Sequence, residues 1–184
     1  MEFPAELWMP IVVSAAAVFL VSSVAHLLLK YHQSDYARLP DEGLVGGLRD
    51  VAPGNYVVPH ASDLAEMKSE AYQQRLAAGP VCFVHLRPNG TLGMGTALVQ
   101  WFVYSLLVGV FCAYLGALAI EPDSAYLDRF QVTGAVAFLG YAFMAVHEAM
   151  WKAGKWSTTL KFMLDGTVYA LVTAGIFAAL WPGA

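Results

Sequence analysis

Charged residues are scarce in this sequence. Only 13% of its 184 residues are Asp, Glu, Lys or Arg, whereas 58% are hydrophobic. A soluble domain carries about 25% charged residues, and the mean hydropathy of +0.55 departs from soluble proteins in the same direction. The composition therefore excludes an ordinary soluble domain and indicates an integral membrane protein.

The motifs of several enzyme and binding classes are also lacking. The two cysteines, Cys82 and Cys112, fall in segments of different polarity, which excludes a disulfide framework and a CxxC metal site. A net charge of −4 without a basic cluster excludes a nucleic-acid partner. Since no phosphate-binding loop, dinucleotide fingerprint or GxSxG motif occurs, we expect neither an enzyme nor a bound cofactor.

Long apolar runs are what the sequence does contain. They cover residues 7–29, 96–120, 130–151 and 162–181, and a transmembrane helix needs about 20 such residues. We predict an all-α integral membrane fold with four transmembrane helices. The acidic leader and the length of the first run favour a retained helix over a cleaved signal peptide.

Basic residues predict the orientation of these helices. Nine of the ten Lys and Arg residues lie in segments 30–95 and 152–161, and Arg129 is the exception. Because cytoplasmic loops are enriched in Lys and Arg, we place these two segments in the cytoplasm and both termini outside.

The long connection 30–95 is too polar for the membrane and is predicted to form a small α+β segment. Ser62 is a candidate cap for a helix over residues 63–78, with Gly79-Pro80 behind it. Residues 56–59 and 81–86 have strand character and are candidates to pair.

A series of motifs after residue 30 resembles an uncharacterised family of small polytopic bacterial inner-membrane proteins. The similarity implies a location in the bacterial cytoplasmic membrane and carries no known activity. The motifs, in order, are Gly79-Pro80, Pro88-Asn89-Gly90, Met94-Gly95, LVQWF at 98–102, WSTTLK at 156–161, Asp165-Gly166 with Tyr169, and Leu180-Trp181-Pro182.

The ionisable residues of the apolar runs are candidate functional groups, because such groups are costly in a bilayer. They all fall near the predicted cytoplasmic ends: His26, His147, Glu148 and Asp165. The pair His147-Glu148 begins like the zinc motif HExxH, but Trp151 replaces the second histidine, which excludes a zincin site.

Two interpretations of these residues are open. They converge into a polar cluster that holds a metal or passes a proton, or each is satisfied locally. The sequence favours the second, because Glu148 precedes Lys152 by four residues and Asp165 is expected in the first helical turn. The loop histidines His32, His60 and His85 lack ligand spacing, so we predict separate surface roles for them and no metal site.

Small residues recur at four-residue spacing in two of the runs. Such stripes allow close helix packing, either within one bundle or between protomers. They are Ser105, Gly109, Ala113 and Ala117 in the second run, and Gly166, Ala170, Ala174 and Ala178 in the fourth.

These observations together predict a non-catalytic accessory or scaffolding subunit of the bacterial inner membrane. It would be surrounded by lipid and would dock by helix packing onto itself, as a homo-oligomer, or onto a larger membrane complex. The alternatives are an oligomeric transporter or channel for a small solute or ion, and a haem, quinone or metal redox subunit that uses His26 and His147.

Overall fold

The computed structural model describes residues 6–90, 93–121 and 123–183, which are mostly helical. The chain forms two compact units. We call residues 1–37 with 93–184 the helical unit and residues 38–92 the hairpin unit. The helices and strands, in chain order, are α1 (Trp8–Leu27), β1 (Gly54–Val58), α2 (Leu64–Met67), α3 (Glu70–Ala78), β2 (Cys82–Leu86), α4 (Met94–Ala119), α5 (Tyr126–Ala142), α6 (Val146–Trp151) and α7 (Trp156–Ala179).

Four helical segments of the helical unit are long and apolar enough to cross a membrane, as the hydropathy predicts. They are α1, α4, the segment Tyr126–Trp151 that joins α5 and α6, and α7. Helix α7 begins six residues before the predicted apolar run, because Thr158 and Thr159 already donate backbone hydrogen bonds to the Lys155 carbonyl. Hydropathy alone does not count this polar first turn as helix.

The two small-residue stripes pack helices of the same chain against each other. A side chain at Gly109 would contact Ile11 of α1, and a Cβ at Gly166 would lie 2.6 Å from Ala142 Cα on α5. Every member of the stripes is buried except Ala117, which is half-buried. Of the two predicted uses of the stripes, the structure therefore shows packing within one bundle.

The third membrane-length segment is interrupted. Helix α5 ends at Ala142, where Gly166 comes closest, and a 3-10 turn over Phe143–Ala145 leads into α6. The candidate residues His147 and Glu148 follow this turn, at the start of α6.

The hairpin unit contains the predicted strand pair. Strands β1 and β2 are antiparallel, with Gly54 opposite Leu86 and Val58 opposite Cys82. The helix predicted over 63–78 is instead two helices. Asp63, not Ser62, caps α2 through the Glu66 amide, and Ser69 caps α3 through the Tyr72 amide, so the second cap restarts the helix.

Candidate functional site

Six side chains form a polar cluster where α1 ends and α7 passes. The chain leaves α1 at Leu27 and makes a 3-10 turn over Lys30–Ser34, which brings its side chains to α7. The members of the cluster are His26, Tyr31, His32, Asp35, Lys161 and Asp165.

His32 is at the centre of the cluster. Its Nδ1 lies 2.6 Å from Asp35 Oδ2, and its Nε2 lies 2.7 Å from Asp165 Oδ2. Carboxylate oxygens only accept hydrogen bonds when ionised, so both ring nitrogens must donate if both acids are charged. In that state His32 is an imidazolium between two carboxylates.

Lys161 fixes Asp35 from the other side. Its Nζ donates to Asp35 Oδ1 at 2.6 Å and to the Tyr31 carbonyl at 2.6 Å. The Asp35 side chain is only 2% exposed. Burial alone would raise the pKa of Asp35, but the hydrogen bonds from Lys161 and His32 outweigh burial and hold that pKa below its ordinary value. Asp35 is therefore a buried, ionised acceptor.

Tyr31 holds the second oxygen of Asp165. Its hydroxyl donates to Asp165 Oδ1, while Oδ2 faces His32. Burial and the hydrogen bond to the carboxylate raise the pKa of Tyr31 well above its ordinary value. The phenol therefore keeps its proton and remains a donor to Asp165.

His26 contacts the cluster through its ring. The ring centroid lies 4.5 Å from that of His32 and 6.2 Å from that of Phe162. No hydrogen bond joins the His26 nitrogens to any residue that the structure describes, although the residue is exposed on its outer side. His26 therefore adds nitrogen atoms to the cluster but takes no part in its hydrogen bonds.

Asp165 lies deeper in its helix than we expected. Because α7 begins at Trp156, Asp165 is nine residues into the helix, not in its first turn. The helix dipole acts mainly within the first turn, so it does not account for this acid. Asp165 is 5% exposed and is satisfied by Tyr31 and His32, two residues from the other end of the chain.

The other two predicted site residues lie outside the cluster. His147 and Glu148 are both exposed on α6. Glu148 accepts a hydrogen bond from Lys152 Nζ at 2.6 Å, the ion pair that the four-residue spacing predicts. The structure thus brings together His26 and Asp165, and separates both from the HExxH-like pair.

Sequence reasoning missed His32, which we had assigned to the polar surface. The residue is 133 positions from Asp165, so no local spacing reveals the contact. One signal was present: His32 and Asp35 are three residues apart just after the long apolar helix α1, an interval that allows mutual contact in a helical turn.

Three residues of the cluster offer ligand atoms to a metal ion. One atom from each of His26, His32 and Asp165 lies within 4.8 Å of the other two. Two imidazoles and a carboxylate are common ligands of first-row transition metals. Asp35 and Asp165 also form a charge-balanced network with the two basic groups His32 and Lys161, which ties the 3-10 turn to α7.

Comparisons of the chain with protein-family models, with curated proteins and with solved structures found no match.

Proposed function

We propose that the chain is a non-catalytic accessory or scaffolding subunit of the bacterial cytoplasmic membrane. In this proposal the hairpin unit faces the cytoplasm, in line with the distribution of basic residues. It docks onto a partner protein, either a second copy of the chain or a subunit of a larger membrane complex. The observation that carries the proposal is the near absence of a core in the hairpin unit.

Only Pro59 and Tyr72 are buried in the described part of the hairpin unit, and the Tyr72 hydroxyl donates to the Pro59 carbonyl at 3.4 Å. An isolated two-stranded hairpin is marginally stable in water. A unit of this size with two buried side chains gains little from apolar burial. The hairpin unit is thus suited to be completed by another surface.

The exposed side chains of the hairpin unit support docking to an apolar surface. Val57 and Phe83 are opposite each other in the sheet and are 37% and 44% exposed. Strand edges provide unpaired backbone groups that a further strand can use. Other large apolar side chains exposed in the unit include Leu44, Leu64, Met67 and Val81.

The charge of the hairpin unit favours a protein over a lipid surface as its partner. Residues 38–92 contain six Asp and Glu against five Lys and Arg, a net charge of −1. Anionic lipids attract clusters of basic residues, which this segment lacks. A protein surface that covers the sheet does not require an excess of basic residues in the hairpin unit.

The small-residue stripes do not support docking, because they pack within the chain. This changes the route of the proposed association from helix faces to the hairpin unit. The large apolar residues exposed on the membrane helices, such as Leu107, Phe111 and Leu139, are accounted for by lipid contact.

Photo-crosslinking in intact cells tests the proposal. A benzoylphenylalanine at position 57 or 83 is expected to capture the same protein, which also co-purifies in stoichiometric amounts. The same residue at Lys68, an exposed position between α2 and α3, serves as the control. Val57→Asp is expected to reduce the captured product about tenfold or more, as loss of an apolar anchor does. Capture of lipid alone, or of no common protein, would overturn the proposal.

A further inference from the structure

We propose that His26, His32 and Asp165 form a binding site for one divalent first-row transition-metal ion. The inference concerns the helical unit and does not rest on the docking proposed for the hairpin unit.

The geometry needs little adjustment to bind an ion. The three ligand atoms lie within 4.8 Å of one another, and ligands of a tetrahedral ion are roughly 3.4 Å apart at bonds of about 2.1 Å. His32 Nε2 and Asp165 Oδ2 are 2.7 Å apart, bridged by a proton. A metal replaces that proton, and small side-chain rotations widen the gap.

Each of two ligands is already oriented by an outer partner. Asp35 accepts from His32 Nδ1, which leaves Nε2 directed at the ion position. Tyr31 holds Asp165 Oδ1, which leaves Oδ2 as the ligand oxygen. A histidine whose second nitrogen donates to a carboxylate is the usual arrangement around protein-bound metals. Lys161 extends the support by holding Asp35.

His26 distinguishes a metal site from a closed ion-pair network. The hydrogen bonds among Tyr31, His32, Asp35, Lys161 and Asp165 are complete without it. Yet its ring lies against His32, with a ligand nitrogen next to the bridged pair. The ion-pair network joins the 3-10 turn to α7 without any contribution from His26. A metal ion, in contrast, would bind the ring nitrogen of His26 as its third ligand.

The donor set indicates the class of ion. Two imidazole nitrogens and one carboxylate oxygen suit Zn²⁺, Fe²⁺, Mn²⁺ or Co²⁺, whereas Ca²⁺ and Mg²⁺ prefer oxygen ligands throughout. Three protein ligands leave at least one coordination position open to water or a small ligand. Binding exchanges the Nε2 proton of His32 for the ion, so one proton is released per ion bound.

The test uses the full chain, purified in detergent, stripped with a chelator and titrated with Zn²⁺ and Co²⁺. We expect one ion per chain by calorimetry and visible absorption bands when Co²⁺ binds. His26→Phe keeps the aromatic contacts and removes only the ligand nitrogen. It is expected to weaken binding at least about 100-fold, more than the loss of an outer partner. His147→Phe, an exposed histidine outside the cluster, is the matched control and should bind like the parent.

Asp35→Asn provides a second variant, because it weakens the orientation of His32 without removal of a ligand. We expect a loss of affinity of about 10- to 100-fold. The proposal is overturned if the parent protein binds neither ion, if binding remains unchanged in His26→Phe, or if Mg²⁺ competes equally with Zn²⁺.

Discussion

The helical unit and the hairpin unit differ most in how they bury their side chains. The helical unit has a contiguous core that includes Val18, Cys112 and Phe177, none of which is exposed. Among the residues that the structure describes in the hairpin unit, only Tyr72 and Pro59 are buried. Its two helices are nonetheless capped by side chains, and its two strands pair over five residues each. Local hydrogen bonding therefore specifies the fold of the hairpin unit, whereas apolar burial contributes little to its stability.

The largest expected effect is on the close packing of the helical unit. Gly166→Leu places a side chain where a Cβ alone would lie 2.6 Å from Ala142 Cα and 2.7 Å from Ala142 N. Backbone atoms cannot rotate away, so we expect a loss of more than about 3 kcal/mol in stability. Thermal unfolding in detergent measures it.

Glycines with open surroundings provide the controls for that comparison. Gly95 on α4 and Gly46 in the hairpin unit have nothing within 4 Å of a built Cβ. Gly95→Leu and Gly46→Leu should leave the unfolding temperature almost unchanged. If Gly166→Leu behaves as they do, the helices are not packed as closely as described.

The stability of the hairpin unit should depend on one side chain, that of Tyr72. Tyr72 is 8% exposed and donates to the Pro59 carbonyl, so Tyr72→Ala is expected to cost about 3 kcal/mol. Limited proteolysis in native membrane vesicles should then cleave between residues 38 and 92 while the membrane-length helices remain intact. Tyr56→Ala, at a position that is 39% exposed, should leave the cleavage pattern unchanged. Equal resistance of the two variants would contradict the assignment of Tyr72 as the core.

A smaller loss of stability is expected from a substitution in the polar cluster. Lys161→Met removes the ammonium group that pairs with the nearly buried Asp35 carboxylate, and Lys161 itself is 24% exposed. We expect a loss of about 2 kcal/mol, below the range for a fully buried pair. Lys152→Met breaks an exposed pair of the same length, 2.6 Å, with Glu148, and should cost under about 0.5 kcal/mol. Similar unfolding temperatures for the two variants would show that the cluster contributes no more than a surface pair.

The sequence predicts the parts of this structure that depend on local pattern. The four membrane-length helices follow from hydropathy, and the strand pair follows from two short apolar stretches with turn residues nearby. The break at Ser69 was missed because a second cap inside a helical pattern is a weak signal. The start of α7 was missed because its first turn, WSTTLK, is polar.

The candidate site was predictable only in part, because it is assembled over long separations. His26 and Asp165 were singled out by their ionisable groups within apolar runs, and the structure brings them together. His32 and Tyr31 contact Asp165 although more than 130 residues separate them in the sequence. The 3-10 turn that places them there is not predicted by any sequence pattern. His147 and Glu148 lie outside the cluster, on α6 after the turn at Phe143–Ala145.

Hydrogen exchange tests most directly whether the hairpin unit is completed by a partner. The amides of residues 38–90 would be compared in native membrane vesicles and in the purified chain, diluted in detergent until it is monomeric, with α4 and α7 as the internal reference. We predict that the reference helices are protected in both samples, whereas the hairpin unit is protected in the vesicles and exchanges rapidly once purified alone. Equal exchange of the hairpin unit in the two samples would contradict the proposal.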